Sequence, residues 1–498
     1  MKMVQQTAIR GVFSVGMTNL MARVFAFGKH LVIAAYIGLS AGLDAFYVAT
    51  AVLSIGIFAF GDIFDSLGIP RLVGTLQTEG EEKFKEFAGS ILSFAVLLSI
   101  VLCTILLLIA PWTPRIAPGF TYEKKAFVLK NLFFLAPMAL LYLPYHAMGS
   151  FLRARRRFQV FYVGEFLIAF ISLLIIFFWH DSQYIIPISF SAAYVFAFLY
   201  VAFLCRHEVR LTAGLQGEKI RGIIRMLFHL LPIYIANYLF VLVDRGFASY
   251  LQTGGVSALS YGVMIVVIPT SILMLENIFI TPLAESSEKG EMMRSILIGT
   301  LILSVPIAFF VVAYANPIVK AAFERGVFTA GSTKMTADAL AYYALSIPVI
   351  FVGPVCIRLF QILEELGKIA IVSLCAVVVN ALLNLLFLKA GMGIKGIALA
   401  SSISWYGSIG GYLYLLRQLG IPAFTKKVGH VLLTSLGISA GALGITFVIP
   451  YAADSLGGLI VRGVAFVLLT GALVFSVPNE EFRYWRETVC GEILVWRK

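Results

Sequence analysis

The feature that most constrains the fold is a series of long apolar stretches that recurs through the 498-residue chain. A helix crosses a bilayer core about 30 Å thick with roughly 20 apolar residues. Fourteen windows meet this requirement: 9–37, 43–69, 88–112, 127–152, 158–179, 184–205, 224–252, 256–283, 295–315, 335–360, 367–388, 394–416, 430–450 and 457–477. Only 13% of the residues are charged, against about 25% in soluble domains. The sequence predicts an all-α polytopic membrane protein.

A weak internal repeat predicts how these spans are grouped. A shift of 214 residues superposes Ala34 on Ala248 and Tyr47 on Tyr261. The pairing of spans 1 and 2 with spans 7 and 8 indicates two parallel six-helix lobes. We therefore expect an N-lobe at 1–210, a C-lobe at 211–420, and two further helices with a cytoplasmic tail at 421–498.

The distribution of basic residues predicts the orientation in the membrane. The chain has 38 Lys and Arg against 26 Asp and Glu, and the loops on the side of the termini hold most of the basic ones. Cytoplasmic loops collect Lys and Arg, so both termini are predicted to be cytoplasmic. The same rule accounts for the net charge of +12 without a nucleic-acid partner. The five cysteines lack metal-ligand spacing, and neither disulfides nor a metal site is expected.

Charged residues inside the first two spans are the main functional candidates. A charge at the bilayer centre costs about 2.5 to 3.5 kcal/mol and should face a partner or a wet cavity. Arg23 lies near mid-depth of span 1, His30 follows on nearly the same face, and Lys29 is rotated by about 120°. Asp44 opens span 2. Two readings are open: the cations bind an anionic phosphate, or they form a structural ion pair with Asp44.

A second group of polar residues permits a cation site. Asp244 lies on span 7, while Asn380 and Asn384 are one turn apart on span 11. Their oxygens would suit Na⁺, although intramembrane amides are more often contacts between helices. Glu276 in span 8 is a candidate for binding a cation or a proton. The sequence contains no nucleophile with its base, and we do not expect an enzyme. It contains no P-loop, so we expect any transport to be driven by Na⁺, H⁺ or another gradient and not by ATP.

Several motifs in order along the chain resemble the MurJ/MviN lipid II flippase family of the MOP exporter superfamily. They include Ala22-Arg23-Val24, the stretch from Asp44 to Ala49, Ala154-Arg155-Arg156-Arg157-Phe158, the stretch from Phe323 to Thr329, and Asn380-Ala381-Leu382-Leu383-Asn384. Together these motifs run from about residue 20 to 405.

The resemblance implies both a fold and a function. The fold has two six-helix lobes and two extra helices, and the implied activity is outward translocation of a polyprenyl-diphosphate-linked glycan, with lipid II as first choice, across the bacterial inner membrane for peptidoglycan synthesis. By position, Arg23, Lys29 and Asp44 match substrate-binding cavity residues of the family, where Lys29 usually is Arg. Asp244, Asn380 and Asn384 match helices that line a Na⁺ site in some members.

Three positions depart from the family pattern. Ile57, Met264 and Val267 stand where the family commonly has polar or charged residues. This difference keeps three alternatives open: a flippase for an exopolysaccharide or other oligosaccharide lipid, a MATE-like cation or drug antiporter, and a membrane scaffold that binds the lipid without transporting it.

Overall fold

The computed structural model describes most of the backbone and most of the side chains. The described backbone covers 2–182, 184–206, 209, 218–273, 283, 286, 288–449, 455–478 and 481–482, and the described side chains are those of the same residues except 2–15, 65–67, 218–220, 223, 226, 229 and 271–273. Within these residues the chain is helical almost throughout and has no strand.

The first half of the chain forms helices α1 to α9. Their bounds are α1 Lys2–Tyr36, α2 Ala41–Leu53, α3 Ala59–Thr78, α4 Glu81–Ile109, α5 Tyr122–Ala154, α6 Phe158–Phe178, α7 Ile185–Cys205, α8 Glu218–Ala248 and α9 Gly255–Leu273. A π-helical turn at Ser54–Phe58 joins α2 to α3, and a 3₁₀ segment at Ala110–Ile116 follows α4.

The second half forms helices α10 to α17. Their bounds are α10 Lys289–Ala313, α11 Ala315–Phe323, α12 Ala330–Ala344, α13 Ile347–Ile362, α14 Leu366–Lys389, α15 Gly393–Gln418, α16 Lys426–Phe447 and α17 Leu456–Ser476. The α12–α13 pair is bent by 52°, next to a proline at 348 that cannot continue the hydrogen-bond pattern of the preceding turn.

The predicted all-α polytopic class is confirmed. As far as the chain is described, each of the fourteen predicted windows falls on one helix or on a joined pair of helices. Ten of the described helices are long and apolar enough to cross a membrane, or eleven if the bent α12–α13 pair is one span. The apolar windows therefore located the helices correctly along the sequence.

The chain divides into two compact units. The first comprises Met1–Ser257 with Arg325–Thr329, and the second comprises Ala258–Glu324 with Ala330–Lys498. In the first unit, α1 packs along α6 and α5 packs along α7. In the second, α14 packs along α15 and α10 along α16. The packing within each unit buries apolar side chains such as Phe151 and Phe360.

A short segment from the second half of the sequence packs inside the first unit. The backbone N–H of Val327 donates to the carbonyl oxygen of Ala35 over 2.9 Å. The neighbouring Gly326 has φ of +58°, and a Cβ at this position would overlap the Ala35 carbonyl oxygen. Glycine is thus required at position 326 for two reasons: the left-handed backbone conformation and the close approach of the Ala35 carbonyl oxygen.

We expect Gly326→Ala to destabilise the protein. The left-handed conformation alone costs an alanine about 1 to 2 kcal/mol, and the overlap with Ala35 adds to this cost. The apparent Tm of the purified protein in detergent should fall.

Gly441→Ala is the matched control, because Gly441 is helical and has no atom within 4 Å of an added Cβ. Its Tm should stay the same or rise slightly, since alanine favours helix. Equal Tm values for the two variants would contradict the assigned role of Gly326.

Candidate functional site

Asp44 is a buried charge with several protein partners. It lies in the first turn of α2, which Ser40 caps by accepting a hydrogen bond from the Leu43 N–H over 3.2 Å. Its side chain is 1% exposed. The carboxylate accepts the Gly254 N–H over 2.7 Å, the Ser257 N–H over 2.9 Å and the Ser257 hydroxyl over 2.7 Å.

Lys124 is the ion-pair partner of Asp44. Its ammonium lies 3.4 Å from Asp44 Oδ2, and both side chains are largely buried. Lys124 stands in the first turn of α5, where the Thr121 hydroxyl caps the helix. The structural ion pair of Asp44 with Arg23 and Lys29, considered above, is therefore not the one that forms. Sequence reasoning missed Lys124 and Ser257, because neither residue type at those spacings indicates a partner for Asp44.

Arg23 and Lys29 lie on α1, about 9 Å apart along the helix axis. Arg23 is half-buried, and its Nε is buried without an acceptor among the described residues. Lys29 is 5% exposed, and its ammonium lies 3.8 Å from the centroid of the Phe190 ring. Such a cation–π contact stabilises a buried ammonium, but the ring does not accept a conventional hydrogen bond from its N–H groups. His30, half-buried, is the next residue.

Arg245 binds the helix that carries Asp44. Its guanidinium donates to the Tyr47 carbonyl oxygen and, over 3.3 Å, to the Thr50 hydroxyl. It also lies over the Tyr47 ring, 5.4 Å from the centroid. The adjacent Asp244 is buried, with 7% of its surface exposed. The charge of Arg245 is thus used to join α8 to α2.

The two asparagines of the predicted cation site bond to each other. Asn384 Nδ2 donates to Asn380 Oδ1 over 3.1 Å, and Asn380 Nδ2 donates to the Ser401 hydroxyl over 3.2 Å. Both are fully buried, and the bond to Ser401 joins α14 to α15. Asp244 and the asparagines belong to different units, and a joint Na⁺ site stays a prediction. Glu276 lies outside the described residues.

The departures from the family pattern have different surroundings. Ile57 is fully buried within the π-helical turn that joins α2 to α3. Met264 is half-buried and Val267 is 37% exposed, both on α9. An apolar side chain at 57 therefore fills packed space. Among the described residues, His, Cys, Asp and Glu form no group of three that could hold a metal ion.

Comparison with solved structures shows the same fold in membrane transporters. A lipid II flippase MurJ in an inward closed conformation matches with a TM-score of 0.79 at 18% identity, covering 95% of this chain and 99% of that one. An inward-facing MATE-family multidrug transporter of the MOP superfamily matches with a TM-score of 0.66 at 13% identity, covering 81% of this chain and 98% of that one. These matches show that the chain has the helical fold of these transporters.

Sequence comparison identifies the family to which the chain belongs. The family model described as lipid II flippase MurJ matches residues 33–460. Proteins named probable lipid II flippase MurJ match at 25% identity, over 84% of both chains for Buchnera aphidicola subsp. Schizaphis graminum. For Aquifex aeolicus the match covers 85% of this chain and 86% of the relative. The chain belongs to the lipid II flippase MurJ family, which confirms the assignment made from its motifs.

We expect Asp44→Asn to destabilise the protein more than Lys124→Gln. In asparagine an NH2 group replaces one carboxylate oxygen, and this group cannot accept the hydrogen bonds that the oxygen accepted. A buried donor left unsatisfied in this way costs about 1 to 3 kcal/mol. Lys124→Gln removes one longer contact and leaves three donors on the carboxylate. The apparent Tm in detergent measures both. A larger decrease for Lys124→Gln would show that the ion pair, not the hydrogen bonds, holds Asp44.

Proposed function

We propose that this protein moves a polyprenyl-diphosphate-linked glycan outward across the bacterial inner membrane by alternating access, with lipid II as its first-choice cargo. Membership of the lipid II flippase family supports the class of cargo. The observation that carries the proposal is the pair of cations on α1. Among the described residues, Arg23 has a buried donor without an acceptor, and Lys29 forms no ion pair with a carboxylate.

A diphosphate suits these two cations. The guanidinium of Arg23 can bind two phosphate oxygens in parallel, whereas the ammonium of Lys29 acts as a point charge. Because the side chains are spaced along one helix, each can contact a different part of one head group. His30, which is half-buried and next to Lys29, would line the same site.

Asp44 contributes in a different way. Its oxygens already accept three hydrogen bonds and one ion pair, and little capacity is left for cargo. We propose that Asp44 holds α2, α5 and the 254–257 segment in one arrangement. We propose further that the bonds of its carboxylate break and form again during transport.

A second cargo has one observation in its favour. Ile57 is buried where the resemblance leads us to expect a charge, so the site of this chain has fewer positive groups than the family pattern. We propose another lipid-linked oligosaccharide as the alternative cargo. The diphosphate is common to both cargoes, and only the sugar differs.

We also propose that the protein spans the membrane several times, with both termini in the cytoplasm.

We expect Arg23→Ala with Lys29→Ala to abolish function. The chain should complement a bacterial strain depleted of its lipid II flippase, and the double variant should not, because the diphosphate loses both cationic partners. A flipping assay in proteoliposomes with a fluorescent lipid II measures the step directly.

Lys83→Ala with Lys368→Ala is the matched control, since both lysines form exposed ion pairs. It removes the same charge and should transport normally at equal expression. Normal transport by the α1 double variant would contradict the proposal. If the wild-type chain flips another oligosaccharide lipid and not lipid II, the second cargo is correct.

The coupling ion is tested by the same assay. We propose that Na⁺ or H⁺ drives the cycle. Replacing Na⁺ by choline on both sides should slow transport if Na⁺ is coupled, and dissipating the proton gradient should slow it if H⁺ is coupled. Asn380→Ala should remove the Na⁺ dependence in the first case. Transport that is unaffected by either treatment would show that the cargo gradient or membrane potential suffices.

A further inference from the structure

Glu165 is a carboxylate in the first unit that the proposed function does not use. It lies on α6, the helix that packs along α1. The next residue, Phe166, and Phe170 lie edge-on to Phe25, with ring centroids 5.2 and 5.4 Å apart. The α1–α6 contact therefore brings Glu165 to the same part of α1 as the two proposed substrate-binding cations.

The carboxylate of Glu165 is held in place by a tyrosine. The hydroxyl of Tyr145, on α5, donates to Glu165 Oε1 over 3.0 Å. Tyr145 is fully buried. A Cβ at Gly164 would lie 2.6 Å from the Tyr145 hydroxyl oxygen, and the glycine beside Glu165 thus makes room for this contact.

The tyrosine that binds the carboxylate belongs to an aromatic cluster. The ring centroid of Tyr145 lies 5.9 Å from that of Tyr194, which lies 5.8 Å from that of Tyr142. A charge in such low-dielectric surroundings acts over longer distances than a charge in water.

Lys29 is linked to Glu165 through aromatic contacts. The Lys29 ammonium lies over the Phe190 ring of α7. One helical turn further along α7, the Tyr194 ring packs against Tyr145, whose hydroxyl binds Glu165. Lys29 and Glu165 form no direct ion pair, because the described residues place no carboxylate within 4.0 Å of Lys29. The short-range partner of Lys29 is therefore the Phe190 ring, and Glu165 can act on Lys29 only at longer range. The N–H groups of the ammonium stay available to an anion.

Asp44 does not fill this role. Its oxygens are used by Lys124, Gly254 and Ser257. Glu165, on the helix that packs along α1, is therefore the candidate counter-charge.

We propose that Glu165, positioned by Tyr145, is the counter-charge of Lys29 in the cargo-free protein, and that an incoming diphosphate takes over this role. The inference rests on the proposed function and adds a positioning residue to its site. The Glu165 carboxylate and the diphosphate compete for the single positive charge of Lys29. Glu165 stabilises the empty site and promotes release of the bound anion.

This competition has an unusual consequence for mutation. Removal of Glu165 should strengthen binding of the cargo anion, since the diphosphate no longer displaces a negative charge. The empty protein should become less stable, because a buried cation loses its compensation. Removal of an ordinary structural residue would weaken both properties.

The experiment measures binding of undecaprenyl diphosphate to the full-length protein in nanodiscs. We expect Glu165→Gln to lower Kd about tenfold, which corresponds to about 1.4 kcal/mol, and to slow transport through slower release. Its apparent Tm without ligand should fall, and its ligand-induced rise in Tm should exceed that of the wild type. Lys29→Gln should raise Kd, and adding Glu165→Gln to it should bring no further gain in affinity.

Glu86→Gln is the matched control. Glu86 forms an exposed ion pair with Lys83 at 2.8 Å, so this variant changes net charge by the same amount and should leave Kd unchanged. If Glu165→Gln does not fold, Glu165→Asp gives the second test, because the shorter side chain draws the charge away from Lys29. It should lower Kd by a smaller factor.

The outcomes separate this inference from the proposed function. An unchanged or raised Kd for Glu165→Gln, with binding still weakened by Lys29→Gln, overturns the role of Glu165 alone. Failure of the folded wild type to bind the diphosphate, or unchanged binding after Arg23→Ala with Lys29→Ala, overturns the proposed function itself. An equal decrease in Kd for Glu86→Gln would show a general effect of net charge and would also overturn the role of Glu165.

Discussion

Burial of the Asp44 carboxylate is the interaction on which the arrangement of the first unit depends. An ionised group away from water is tolerated only where donors replace its hydration. Four donor atoms surround this carboxylate, and they come from α5 and from residues 254–257. One side chain on α2 therefore connects three parts of the chain that are far apart in sequence. Arg245 adds a further link, from α8 back to α2.

The charges of the first unit fall into two kinds. Asp44 and Arg245 are used up by protein partners, and each joins helices. Arg23 and Lys29 are buried or half-buried on α1 and keep donors that no carboxylate of the described residues occupies. Burial of a cation costs free energy, and a protein that leaves the cost partly uncompensated keeps affinity for an anion. This contrast in bonding, rather than charge itself, separates structural residues from candidates for cargo binding.

The apolar replacements affect how the family relationship is interpreted. Family membership rests on a match across residues 33–460, whereas the relatives are about 25% identical. At Ile57 the chain fills the π-helical turn with a buried aliphatic side chain. A site with fewer cations binds an anionic head group with fewer contacts. Under the proposed function, the remaining positive charges on α1 carry more of the binding, and the environment of Lys29 becomes correspondingly important.

The sequence by itself determined the helical class, the positions of the helices and the family. Apolar length and charge depletion are local properties, and each helix satisfies its own backbone hydrogen bonds in a membrane. Arg23, Lys29 and Asp44 were also identifiable, because a charge inside an apolar run is visible in the sequence. Only the tertiary structure decided their partners. Lys124 and Ser257 lie 80 and 213 residues from Asp44, which they bind, and Glu165, the proposed counter-charge, lies 136 residues from Lys29. Helical periodicity carries no information about contacts between helices so distant in sequence.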